Sequence, residues 1–118
     1  MLLAELTRLN SHLVSIGSGA IDLGVTSVCL YCLREREKIL DLFELLTGQR
    51  MMCSFIRPGG LAGDADDEWL KKCRLFIDAM PGHIDEYEDC VTDNPFFKER
   101  TIGIGMLKAD EAIRWGVS

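Results

Sequence analysis

The chain has 118 residues, 47% of them hydrophobic and 27% charged, with a formal net charge of −6 at pH 7. That length suits one domain with a modest core, and no apolar run approaches the roughly 20 residues that span a bilayer. The first residues read as lacking a secretory signal, and the basic residues are interleaved with acids, which excludes a phosphate-neutralising nucleic-acid surface.

Leu2, Leu6, Leu9, Leu13, Ile16 and Ala20 keep a 3-4 spacing that predicts a helix from about residue 3 to 21. Gly17 and Gly19 weaken its end but let another backbone come close. A second helix is expected from about 26 to 47, with Ser27 as a cap, Ile39, Phe43 and Leu46 as one stripe, and Gly48 as its stop. Residues 50 to 57 contain Phe55 and Ile56 and read as a short extended piece entering the turn Pro58-Gly59-Gly60, with a loop over 59 to 66.

Asp66 or Asp67 can cap a third helix whose inward residues are Trp69, Cys73, Phe76, Ile77 and Met80. Pro81-Gly82 is expected to interrupt it, and a fourth helix follows with Ile84, Tyr87 and Val91 inward. Asn94-Pro95 is a cap with proline at the first helical position, opening a short helix to about residue 100. A last helix runs from Lys108 to Trp115 and closes at Gly116. The whole predicts a mainly α chain, an antiparallel helical bundle with one short extended segment, forming a single helical segment over 1–118. Its uncovered apolar faces favour self-association of the isolated segment.

The five cysteines read as reduced thiols, since they are odd in number. Cys29-x-x-Cys32 has ligand-like spacing, but no second pair accompanies it, so apolar filler is the better reading and no metal is expected. His12 reads as a hydrogen-bonded structural histidine, and His83 as a solvent-exposed residue at a helix start. No nucleophile triad and no Rossmann glycine pattern can be placed. Asp22 stands at the end of an apolar helix face, where a carboxylate must pair or change protonation; the alternative is that it caps the next helix. The charges Arg34 to Lys38 fit either a solvated face held by i,i+4 pairs or a buried ion network linking the chain to neighbouring chains.

The order of several blocks says more. Glu5-Leu6-x-Arg8-Leu9-x-Ser11-His12-Leu13, Asp22-Leu23-Gly24, the run Arg34-Glu35-Arg36-Glu37-Lys38-Ile39-Leu40-Asp41-Leu42-Phe43-Glu44, Ile56-Arg57-Pro58-Gly59-Gly60 and Asp85-Glu86-Tyr87-Glu88 follow one another. Asn94-Pro95, Glu99-Arg100-Thr101-x-Gly103-x-Gly105 and Glu111-Ala112-Ile113-x-Trp115-Gly116 complete the series. Together they resemble the D subunit of proton-pumping NADH:quinone oxidoreductase, respiratory complex I, a relative of nickel–iron hydrogenase large subunits.

The resemblance implies an internal piece of a larger α+β subunit. It places Ser18, Asp22, Arg57 and Pro58 on the wall of the quinone chamber, and Arg50, Met52 and Cys53 near the terminal iron–sulfur cluster of a neighbouring subunit. It implies that the segment binds no cofactor itself and has quinone as substrate, with NADH, flavin and iron–sulfur clusters handled by partner subunits. The implied partners are the cluster-bearing B subunit, the C subunit and the membrane H subunit. The implied location is peripheral, on the cytoplasmic side of a bacterial inner membrane or the matrix side of a mitochondrial one. The family's main headgroup ligands, a histidine and a tyrosine, belong to a part absent from these residues, so the segment alone is expected to be inactive. Two alternatives remain open: a large subunit of a membrane-bound nickel–iron hydrogenase-type complex, and a structural interaction module without quinone contact.

Overall fold

The computed structural model describes residues 1–51 and 53–117. Among these, the elements in order are α1 (Leu2–Asp22), α2 (Thr26–Thr47), β1 (Ile56–Arg57), β2 (Gly60–Leu61), α3 (Asp67–Tyr87), a π-helical turn (Glu88–Thr92), α4 (Pro95–Thr101) and α5 (Ala109–Trp115). The chain is mainly α, as its periodicity predicts.

Helix α1 buries Leu3, Leu6, Leu13, Gly17 and Ala20. This face is rotated from the predicted one, since Leu2 and Ile16 are 42% and 46% exposed. Gly17 explains the rotation. A Cβ there would stand 3.3 Å from both Cys29 Cα and Cys32 Cβ, so the glycine is the point of closest approach between α1 and α2, whereas Gly19 faces open space. The turn between the helices places Gly24 at φ 89° and closes on a Val25 N–H to Ala20 carbonyl bond of 2.8 Å. Neither Ser27 nor Asp22 caps α2, whose N-cap position is Val25 and whose N-terminus has no side-chain capping bond among the described residues. At the other end Gly48 stops α2 in the left-handed region, φ 75°, as expected of a C-terminal glycine.

The predicted extended piece is the first arm of a hairpin. Ile56 pairs with Leu61 and Arg57 with Gly60, so part of the expected loop is a second strand. Pro58 followed by Gly59 at φ 92° is the pattern of a type II turn, in which proline presets the first central residue and glycine takes the positive φ of the second. Phe55 is buried just before the hairpin and anchors it to the core.

Asp66 caps α3 by accepting a 2.7 Å bond from the Trp69 N–H. The helix then runs through Pro81-Gly82 to Tyr87, where the sequence predicts an interruption. Pro81 is exposed, so the backbone bond it cannot make faces solvent, while Met80 and Tyr87 continue the buried stripe of Trp69, Cys73 and Phe76 on the opposite side. Packing on that side outweighs the local cost of the proline. Ile77 and Ile84, expected inward, are 40% and 46% exposed. Asn94 caps α4 through a 3.0 Å bond from Phe96 N–H, with Pro95 in the first turn.

α2 lies between α1 and α3. Its antiparallel alignment with α3 is fixed at both ends, by Trp69 Nε1 donating to the Leu42 carbonyl at 2.8 Å and Tyr87 hydroxyl donating to the Tyr31 carbonyl at 3.3 Å. Neither α4 nor α5 has a buried residue. The result is elongated, with extents of 49 × 34 × 21 Å and a radius of gyration of 17.7 Å, against roughly 13 Å for a compact domain of this length. Because α1 and α2 meet at Gly17, Gly17→Val should force them apart and lower the stability of the 118-residue chain by about 1–3 kcal/mol. Urea unfolding followed by circular dichroism measures this, and an unchanged midpoint would contradict the close approach.

Candidate functional site

The residues singled out from the sequence fall into two groups. Ser18 and Asp22 sit one turn apart near the end of α1, both exposed. The Ser18 hydroxyl donates to the Ser15 carbonyl at 3.1 Å. Asp22 faces solvent and is under no compulsion to pair, because the buried face of α1 is the rotated one. At the other end of the packet, Arg57 lies on β1 with its Nε donating to the Ser54 carbonyl at 3.3 Å, and Pro58 forms the exposed hairpin tip.

Arg50 lies behind the hairpin. Its Nη1 donates to Asp41 at 2.7 Å and to Glu44 at 3.2 Å, and its Nη2 donates to Glu37. These carboxylates share one face of α2. Its hydrogen bonds to Asp41, then Glu37 and Glu44, make this guanidinium hold its proton more tightly than usual. Cys53 is half-buried, its thiol donating to the Gln49 carbonyl at 3.2 Å and accepting from Thr47 hydroxyl at 3.3 Å. Met52 lies outside the described residues.

Arg50, Cys53, Phe55 and Ile56 line a cavity of about 280 Å³ together with Leu3 and Asn10 of α1. The hairpin group is therefore built on the start of α1. Ser18 and Asp22 stand towards its end, 15 and 19 positions beyond Leu3, which sets roughly 22 and 28 Å of helix between them and the start of α1. The structure does not bring the two groups together.

A third cluster is half visible in the charge run. Glu35 is fully buried, with 0% exposure, in the stripe that also holds Val28, Cys32 and Ile39. Arg34 Nε donates to its Oε1 at 2.6 Å. Lys38 Nζ lies 2.7 Å from Oε2 and His83 Nε2 3.4 Å from it, neither along a hydrogen-bond direction, so Oε2 has no directed donor among the described residues. Arg34 also reaches Glu86 at 2.9 Å and contacts His83 Nδ1 at 3.2 Å. Burial pushes the Glu35 carboxyl up, but Lys38, Arg34 and the His83 ring outweigh it and hold the group below the usual carboxylate range.

The run is thus an internal ion cluster joining α2 to α3, with pairs at i,i+1 and i,i+3 on α2. His83, expected at a helix start in solvent, is half-buried within α3, and its part in the cluster depends on the continuity of α3 through Pro81. His12, expected as a hydrogen-bonded structural residue, is exposed. Cys32 is buried and its thiol is pushed up by burial and then by Cys29, which is itself half-buried beside Gly17.

These features define a class: a mainly helical chain with an internal ion cluster and broad exposed apolar faces. Residues 22–118 match the family described as respiratory-chain NADH dehydrogenase, 49 Kd subunit, and the chain belongs to that family. All 118 residues align at 50% identity with the NADH-quinone oxidoreductase D subunit (form 2) of Chloroflexus aurantiacus, covering 29% of that protein. They align at 52% with the corresponding D subunit (form 1) of Roseiflexus castenholzii, covering 28% of it, and at 48% with that of Solibacter usitatus (form 1), covering 29%. The chain therefore spans less than a third of the length of these relatives.

The Glu35 cluster has a measurable signature. With a folded value below its unfolded one, Glu35 contributes stability that is present above the unfolded carboxylate value of about 4.3 and lost as pH falls through the lower folded value. Glu35→Gln should lower the urea midpoint at pH 7, and the gap to the parent chain should narrow below pH ~4. A gap independent of pH would show that the carboxylate charge is not what the cluster stabilises.

Proposed function

We propose that the chain forms part of the quinone-site subunit of a proton-translocating NADH:quinone oxidoreductase, contributing to one wall of the quinone chamber near the terminal iron–sulfur cluster. The observation that carries this reading is its alignment, over its whole length, with D-subunit relatives at 48–52% identity. Between the two enzyme readings, that match favours the NADH dehydrogenase over the hydrogenase.

In this reading Ser18, Asp22, Arg57 and Pro58 line the chamber. The roughly 22–28 Å of α1 between the groups is too long for one quinone ring to touch both, so they have different tasks. Asp22 offers a solvent-reachable carboxylate that can exchange a proton with reduced quinone. Arg57, whose Nε donates to the Ser54 carbonyl, has further guanidinium donors that can offset negative charge on quinone or on the cluster. Arg50, Met52 and Cys53 belong to the side nearest that cluster, with the Arg50 guanidinium neutralised by its own carboxylates and serving as a fixed brace behind the hairpin.

The segment itself binds no cofactor. Electrons arrive from NADH through flavin and iron–sulfur clusters of partner subunits, and quinone is the substrate. Among the described residues no helix is long and apolar enough to cross a membrane, so contact with the bilayer runs through partners. The exposed faces carrying Phe96, Ile102, Met106 and Trp115 are suited to packing against the B, C and H subunits and the remainder of the D subunit. The assembly is peripheral, on the cytoplasmic or matrix side, and the isolated segment is inactive and self-associating.

Asp22→Asn in the assembled enzyme tests the central part. Quinone reductase activity should fall while NADH oxidation by a hydrophilic artificial acceptor stays intact. Equal loss of both would favour the structural-module reading, in which these residues hold the assembly together and do not meet quinone.

A further inference from the structure

Two blocks far apart in the chain meet at the end of α1. Arg100, on α4, donates from Nη1 to the Leu23 carbonyl at 2.6 Å, a contact across 77 residues. Leu23 directly follows Asp22 and is the residue on which α1 ends. Next to it Gly24 has φ 89°, and a Cβ on it would stand 2.6 Å from the same Nη1. The glycine thus serves twice, supplying the left-handed turn and leaving room for the guanidinium.

The electrostatics of this end call for a cation. The last turn of α1 contains no basic residue and carries Asp22, a negative charge at the negative end of the helix dipole. The last carbonyls of a helix also lack intrahelical donors. Arg100 answers both needs from a distant element, satisfying the Leu23 carbonyl and placing a positive charge beside the turn that bears Asp22. α4 has no fully buried residue of its own, and the Arg100 bond is a polar contact that ties it to this turn.

We infer that Arg100 is a positioning residue for Asp22: it caps α1, fixes the Asp22-Leu23-Gly24 turn and compensates the charge of the carboxylate that meets quinone. The inference rests on the reading that Asp22 acts on quinone. Three variants of the assembled enzyme test it. Arg100→Gln, which keeps donors but removes the charge, should lower quinone reductase activity roughly five-fold and leave artificial-acceptor activity unchanged. Arg100→Lys should recover most of the loss. Gly24→Ala should reproduce the Gln phenotype, because the added methyl displaces the guanidinium.

The deciding measurement is the double variant. If Arg100 works through Asp22, Arg100→Gln causes no further loss in an Asp22→Asn background. Losses that multiply, or an Arg100→Gln enzyme of normal activity beside an impaired Asp22→Asn enzyme, would overturn the inference while leaving the role of Asp22 standing. An Asp22→Asn enzyme of normal activity would remove the reading of Asp22 itself and the inference with it. Loss of artificial-acceptor activity in both Arg100→Gln and Arg100→Lys would show Arg100 to be needed for assembly and would also overturn it.

Discussion

Helix α2 has to satisfy two neighbours at once, and the placement of everything else follows from how it does so. Its buried residues include Val28, Cys32, Ile39, Leu40, Leu42 and Phe43, enough to cover α1 on one side and α3 on the other. Within that surface Glu35 occupies a position whose spacing from Val28, Cys32 and Ile39 belongs to an apolar side chain. Burying a carboxylate there adds little to stability compared with a well-packed apolar residue of similar size. What it does define is register. His83 and Glu86 on α3 meet Glu35 and Arg34 only when the two antiparallel helices are aligned as they are, and a slip by one turn would strand the charge. The Trp69 and Tyr87 bonds to α2 carbonyls fix the same alignment at either end.

Helix limits are legible in the sequence because they rest on local chemistry. Gly48, Asp66, Asn94-Pro95 and Gly116 act within one turn of their own position, and each ends or starts a helix as its type predicts. Features that depend on a neighbour are not legible there. The phase of α1 is set by Gly17 meeting the backbone of α2, which a count of apolar residues cannot register, and the exposure of Asp22 follows from that phase. Pro81 reads as a break because its local cost is fixed, whereas the Met80 and Tyr87 packing that overrides it is tertiary. The expectation for His83 fails for the same reason.

The candidate site is legible only through resemblance. Nothing in the spacing of Ser18, Asp22, Arg57 and Pro58 marks them as a set, and in the fold they form two groups. The role of Gly24 is equally hidden, since its partner lies on α4. Beyond that contact the last quarter of the chain is organised by its own caps and turns, with Ile102, Ile104 and Ile113 turned outward. A surface of this kind gains stability when another chain or segment covers it.

The end-to-end arrangement on α1 has a mechanical consequence. A continuous helix is stiff along its axis, so the interval between the hairpin and the Asp22 turn is set by its backbone and not by the flexibility of any loop. Any displacement of the hairpin against the start of α1 is therefore resisted along the whole α1–α2 seam, which runs from Leu3 to Ala20 and is tightest at Gly17.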